Sequence, residues 1–81
     1  MSSLLGIECG ATHTVALFEE QNKVIQSEFG PANLRLLNNR QINTHLNKIS
    51  RFFPTPKALA IGMAGVRTVD DQKRLYKAAI K

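Results

Sequence analysis

This chain is short of the devices small proteins use to staple themselves. It has one cysteine, Cys9, so no internal disulfide can form. Its two histidines, His13 and His45, are far apart and have no cysteine partners, so the spacing of a Cys/His metal clip is missing. Tryptophan is absent and tyrosine occurs once. No apolar run approaches the roughly 20 residues that span a bilayer. The opening Met-Ser-Ser-Leu-Leu has neither the basic stretch nor the apolar core of a secretory leader. These absences predict a reduced, cytoplasmic protein with no membrane partner. Neither G-x-x-x-x-G-K-[ST] nor G-x-G-x-x-G occurs, which removes the two commonest glycine-rich phosphate loops.

Acid is scarce where base is plentiful. Residues 1–34 carry one lysine against Glu8, Glu19, Glu20 and Glu28, whereas residues 35–81 carry ten Lys and Arg against Asp70 and Asp71. Such asymmetry suits an anionic partner. The basic residues are scattered, however, and lack the interleaved aromatics on which bases stack, so nucleic acid is not the expected partner. With 43% hydrophobic and 21% charged residues the composition is that of a globular chain. At 81 residues it makes at most one small domain, burying roughly 60% of the surface its unfolded form exposes.

What is present reads as β-β-β-α-β-α. "SLLGIE" (3–8) is a short apolar strand, and "THTVALF" (12–18), rich in β-branched and aromatic residues, a second. "EEQNK" (19–23) supplies a polar turn and "VIQSEF" (24–29) a third strand, with Ile25, Ser27 and Phe29 on one face. Gly30-Pro31 ends this meander. Ile42, Leu46, Ile49 and Phe53 recur at helical spacing, which predicts a helix over 39–53. Asn38 and Gln41 form a capping box at its start, and Pro54 and Pro56 stop it. "ALAIGMAG" (58–65) has no alternation and reads as a central strand covered on both faces, closed by Gly65. Thr68-Val-Asp-Asp71 is a capping box opening a second helix that runs to the last residue, with Lys77 and Lys81 toward its end. Unless something covers its edge, the strand over 58–65 leaves association into a homodimer open.

The chemistry concentrates in "ECGATHT" (8–14). A bend that holds phosphates needs small residues for close backbone approach, inward N–H and hydroxyl donors, and a cation between any carboxylate and the phosphate. Mg²⁺ fills the last requirement, because it accepts a carboxylate together with phosphate oxygens and waters. Glu8 followed by Cys9-Gly10-Ala11-Thr12 meets all three. The same residues would also make a plain hairpin, with Glu8 solvated and the threonines present for strand propensity. The residues alone leave both readings open. His13 is expected by alternation to point away from the threonines, and His45 to sit on the helix surface. Arg35 and Arg67 follow glycine-containing loops, either as solvated side chains or within reach of an anion. Cys9 is read as a small packed residue.

"GIECGATHT", "GPANLRLL" and "ALAIGMAGV" together resemble the first three landmarks of the BadF/BadG/BcrA/BcrD-type ATPases. This family includes the N-acetylglucosamine kinases and lies within the sugar kinase/Hsp70/actin superfamily. The resemblance covers nearly the whole chain in order and spacing. It implies a ribonuclease H-like, actin-like ATPase first lobe with a mixed sheet and helices, incomplete here. Residues 1–81 would form the N-terminal part of that lobe, with the remainder outside this chain. It implies ATP and Mg²⁺ as cofactors and a small-molecule sugar as partner, an amino sugar such as N-acetylglucosamine or N-acetylmuramic acid. Residues 8–14 would be the phosphate motif D/E-G-G-G-T-x-T/S. Glu8 would approach the metal through water, and Gly10, Ala11, Thr12, His13 and Thr14 would face the phosphates, Thr12 foremost. Asn33 and Gly65 would lie on the substrate side. The family's catalytic acid lies beyond Lys81, so no catalytic residue is assigned here and the fragment alone is expected to be inactive. Cys9 and Ala11 stand where the family has glycine, and would carry strain if either needed a positive φ. Other family members activate dehydratases and use an iron–sulfur cluster, which requires several cysteines. A small basic nucleic-acid-binding module is the alternative from a different class.

Overall fold

The structure is a computed structural model that describes residues 3–79. Four strands and two helices follow the predicted order: β1 (Ser3–Cys9), β2 (Thr14–Glu20), β3 (Lys23–Phe29), α1 (Asn39–Phe52), β4 (Ala58–Met63) and α2 (Val69–Ala79). They build one mixed sheet in the spatial order β3-β2-β1-β4. The pairs β1–β2 and β2–β3 are antiparallel, and β4 runs parallel to β1. A parallel neighbour requires a crossover, and α1 supplies it. The expectation for Lys81, and for a helix reaching the last residue, lies outside the described residues.

Register decides which side chains form the core. Leu5, Ile7 and Cys9 of β1 stand beside Phe18, Ala16 and Thr14 of β2 and beside Leu59, Ile61 and Met63 of β4. This face is covered by the stripe Ile42, Leu46 and Ile49 of α1, by Phe53 after it, and by Leu75 of α2. Phe53 stacks on Phe18 with ring centroids 6.0 Å apart, in the offset geometry aromatic pairs prefer. Helix α1 begins where the sequence places it. The Asn38 side chain accepts from the Gln41 N–H at 2.8 Å, and the Gln41 side chain accepts from the Asn38 N–H at 2.9 Å. Asp71 closes the corresponding box at α2: its N–H donates to Thr68 Oγ at 3.1 Å, and its carboxylate accepts from the Thr68 N–H at 3.2 Å.

Two expectations are corrected. The strand at 58–63 is an edge strand, not a doubly covered central one. Ala58 and Ala60 are exposed on the face away from the core, and Leu59 is exposed on the core face because β4 pairs only with β1 and lies at the sheet edge. Uniform small apolar sequence cannot tell a covered strand from one whose cover is elsewhere. The second strand starts at Thr14 and not Thr12, so residues 11–13 belong to the preceding bend. Ile25 in β3 is half exposed for the same reason as Leu59: no helix reaches that edge. No helix among the described residues is long and apolar enough to cross a membrane.

Candidate functional site

Three connections meet at the end of the sheet where β1 and β4 finish: the bend 10–13, the segment 30–37 and the loop 64–68. In mixed α/β sheets the carboxyl ends of parallel strands are where ligands bind. Backbone bonds stitch the three together. The Ala32 N–H donates to Gly10 O at 3.1 Å, the Leu34 N–H to Ala64 O at 2.8 Å, and the Ala64 N–H to Cys9 O at 2.8 Å. Asn33 and Ala64 add a parallel bridge.

The bend closes with the Gly10 N–H donating to His13 O at 2.8 Å. A Cβ at Gly10 would stand 2.8 Å from that same oxygen, so the tight closure excludes any side chain there. Cys9 and Ala11 are not among the positive-φ residues, which are Gln21, Asn22 and Gly65. Neither residue therefore carries left-handed strain. Ala11, Thr12 and His13 are exposed, and among the described residues their N–H groups donate to no backbone acceptor. Three N–H groups without a backbone acceptor thus lie on one short bend, beside the Thr12 hydroxyl. The His13 ring turns toward Thr12, with Nδ1 3.1 Å from Oγ, instead of away from it. The expected alternation fails because residue 13 is in the bend.

Thr14 is different. It is fully buried, donating its hydroxyl proton to Gly30 O at 2.8 Å and contacting His45 Nε2 at 3.0 Å. Its hydroxyl is committed to the interior, so of the two threonines only Thr12 offers one at the mouth. His45 is accordingly half-buried, not a surface residue, and burial, aided by the Lys48 charge, holds its pKa below the ordinary histidine value. Cys9 is fully buried. Burial, with the Glu8 charge adding, pushes its thiol upward, which suits a packed and unreactive residue.

Glu8, next to last in β1, lies on the face opposite the buried Ile7 and Cys9. Its carboxylate lies over Gly62, the residue beside it on β4: a Cβ there would stand 2.7 Å from Oε1. Glu8 and Gly62 also border a hollow of about 590 Å³ between the β4 edge and α2, with Ile61, Met63 and Tyr76. The acid thus faces open space that a glycine provides. Gly62 was not singled out from the sequence, since only the register of β1 against β4 reveals its role. No group of three or more His, Cys, Asp or Glu among the described residues could hold a metal ion. A single exposed carboxylate, Glu8, is a donor of the kind Mg²⁺ takes, since that ion keeps most of its ligands as water and phosphate.

Asn33 and Gly65, far apart in sequence, are brought together. Gly65 adopts φ +89°, and a Cβ on it would run into Asn33 Oδ1. That oxygen accepts from the Arg35 N–H at 2.9 Å, which fixes the turn. Arg35 pairs with Asp71 at 2.5 Å, and the Asp71 carboxylate also accepts from the Arg67 N–H at 3.0 Å. These bonds, the one from Arg67 foremost, hold the Asp71 carboxyl below its ordinary pKa. Arg74 was not anticipated. Its guanidinium donates to Leu34 O at 2.9 Å, Leu37 O at 2.6 Å and Asn39 Oδ1 at 2.5 Å, fastening the Asn33 segment to α2.

No protein-family model matches the chain, and no curated protein sequence matches it. Among solved structures it is similar to that of the Aquifex aeolicus PPX-GPPA enzyme, with a TM-score of 0.51 and 8% sequence identity. The match covers 98% of this chain and 32% of that one, so the chain spans about a third of that enzyme's length. The neighbour has an actin-like ATPase, ribonuclease H-like fold. Element order, the mixed four-stranded sheet and this likeness agree on the fold: a mixed α/β architecture similar to part of an actin-like ATPase fold.

Proposed function

We propose that this chain is the N-terminal part of an ATP-dependent sugar kinase, which transfers a phosphoryl group from MgATP to an amino sugar such as N-acetylglucosamine or N-acetylmuramic acid. One observation carries the reading. The bend 10–13, Asn33 and Gly65, each suggested by the family resemblance, meet at one end of the sheet, where backbone bonds join Ala32 to Gly10 and Leu34 to Ala64, and Asn33 bridges Ala64. Thr12 and the free N–H groups of residues 11–13 receive the phosphates, and Glu8 approaches the metal through water. Mg²⁺, when bound, neutralises phosphate charge as phosphoryl transfer requires. Asn33 and Gly65 shape the sugar side. The general base is supplied from outside these 81 residues.

The alternatives gain less support. Cys9 is buried, so a cluster-bearing dehydratase activator would need all its accessible cysteines from elsewhere. Arg35 and Arg74 are spent on internal bonds, which thins the basic surface a nucleic-acid module would need. The test is ADP release by the intact protein with and without amino sugars. Sugar-stimulated release is expected, and its absence with every amino sugar tried would overturn the proposal.

A further inference from the structure

We infer that His45 is a positioning residue for the phosphate bend. Through Thr14 it locks the start of β2 to Gly30, and so sets the bend 10–13 against the segment that carries Asn33. The argument begins with proton count. A threonine hydroxyl has one proton, and the Gly30 carbonyl can only accept. Thr14 gives its proton to Gly30 O at 2.8 Å, so at the 3.0 Å contact with His45 the threonine oxygen is the acceptor and Nε2 carries the proton. The neutral imidazole is therefore the Nε2–H tautomer. Its ring comes from α1, reaching an interior hydroxyl on β2, 31 residues away in sequence.

The consequence reaches the site by a short path. Thr14 is the residue immediately after the bend and Gly30 is two before Ala32, whose N–H holds Gly10 O at 3.1 Å. Removing the imidazole leaves the Thr14 oxygen without its donor and frees the hydroxyl to rotate away from Gly30. Both ties between the bend and the Asn33 segment then weaken. Among the described residues, Lys48 on its own helix acts on His45, and Cys9 on β1 stands beside Thr14. Neither can replace the donor at Thr14: Lys48 is exposed, and the Cys9 thiol is a weak one.

The test compares the intact protein with His45→Phe, which keeps a ring and loses the donor, and His45→Gln, whose amide N–H can take the place of Nε2–H. Amide exchange reads the change: the Ala32 amide is one of the ties, and the Gly10 amide closes the bend they hold. In His45→Phe, protection of the Gly10 and Ala32 amides should fall about tenfold, as for loss of one ordinary buried hydrogen bond. The Leu34 amide, held by Ala64, should stay protected, and His45→Gln should recover most of the loss. Unchanged protection at Gly10 and Ala32, or an equal fall at Leu34, overturns the inference. If His45→Phe does not fold, Thr14→Val and Thr14→Ser decide: valine should lose the protection and serine keep it, and any other pattern counts against it. The kinetic arm rests on the kinase reading. There kcat/KM for MgATP should fall about tenfold in His45→Phe and recover in His45→Gln. Lost protection with unchanged kinetics reduces His45 to plain packing. A wild-type protein that does not use ATP removes the kinase reading, and the amide result still decides the positioning role.

Discussion

The meander contains two reversals, and they are built on opposite plans. Between β2 and β3 the chain turns on Gln21 and Asn22, both in the left-handed region at φ 50° and 67°. Two such residues between paired Glu20 and Lys23 match the right-handed twist of the flanking strands. Between β1 and β2 the chain spends four residues, uses no positive φ, and leaves three N–H groups open. It is then tied by Gly10 to Ala32, by Thr14 to Gly30 and His45, and by Cys9 to Ala64. The reversal at Gln21 and Asn22 takes its shape from its own two residues. The reversal over residues 10–13 is held from three sides.

That contrast can be attacked in order of expected effect. Gly65→Ala should be the most damaging, because it adds left-handed strain and a collision with Asn33 Oδ1. A loss of about 2 kcal/mol or more is expected, read as a Tm drop of roughly 10 °C. Glu8→Gln should lower affinity for ATP about tenfold in the presence of Mg²⁺, and hardly at all in its absence, by isothermal titration. Acid should weaken the tied end of the sheet in two stages. His45 has a folded pKa below its unfolded value of about 6.5, so its contribution is intact above that pH and is lost as pH falls through the folded value. Asp71 follows the same sign lower down, intact above about 4 and lost as pH falls through its depressed pKa. A Tm-versus-pH curve should therefore fall in two steps, with His45→Gln flattening the first and Asp71→Asn the second. Asn22→Gly in the simple turn should have the smallest effect, a gain of about 0.5 kcal/mol at most in denaturant titration, with nucleotide affinity unchanged.

Much of this was legible in the residues themselves. Asn38–Gln41 and Thr68–Asp71 mark helix starts because capping is local, and the Ile42–Leu46–Ile49 stripe marks a buried face because it repeats at helical spacing. What stayed hidden depends on register or on distant partners. The exposure of Leu59 follows from which strand pairs with β4. The space under Glu8 exists because Gly62 happens to lie beside it. His45 read as a surface residue since nothing near it in sequence announces Thr14, and Arg74 gave no sign of the carbonyls 37 and 40 residues away that it holds. The departures at Cys9 and Ala11 suggested strain only until the bend proved free of positive φ.

The central claim is that the first reversal accepts phosphate and the second does not. Titrating the isotopically labelled intact protein with MgATP and following backbone amides tests it most directly. The account predicts saturable shifts at Ala11, Thr12 and His13 with Gln21 and Asn22 unmoved. Silence at residues 11–13, or equal movement at both reversals, would contradict it.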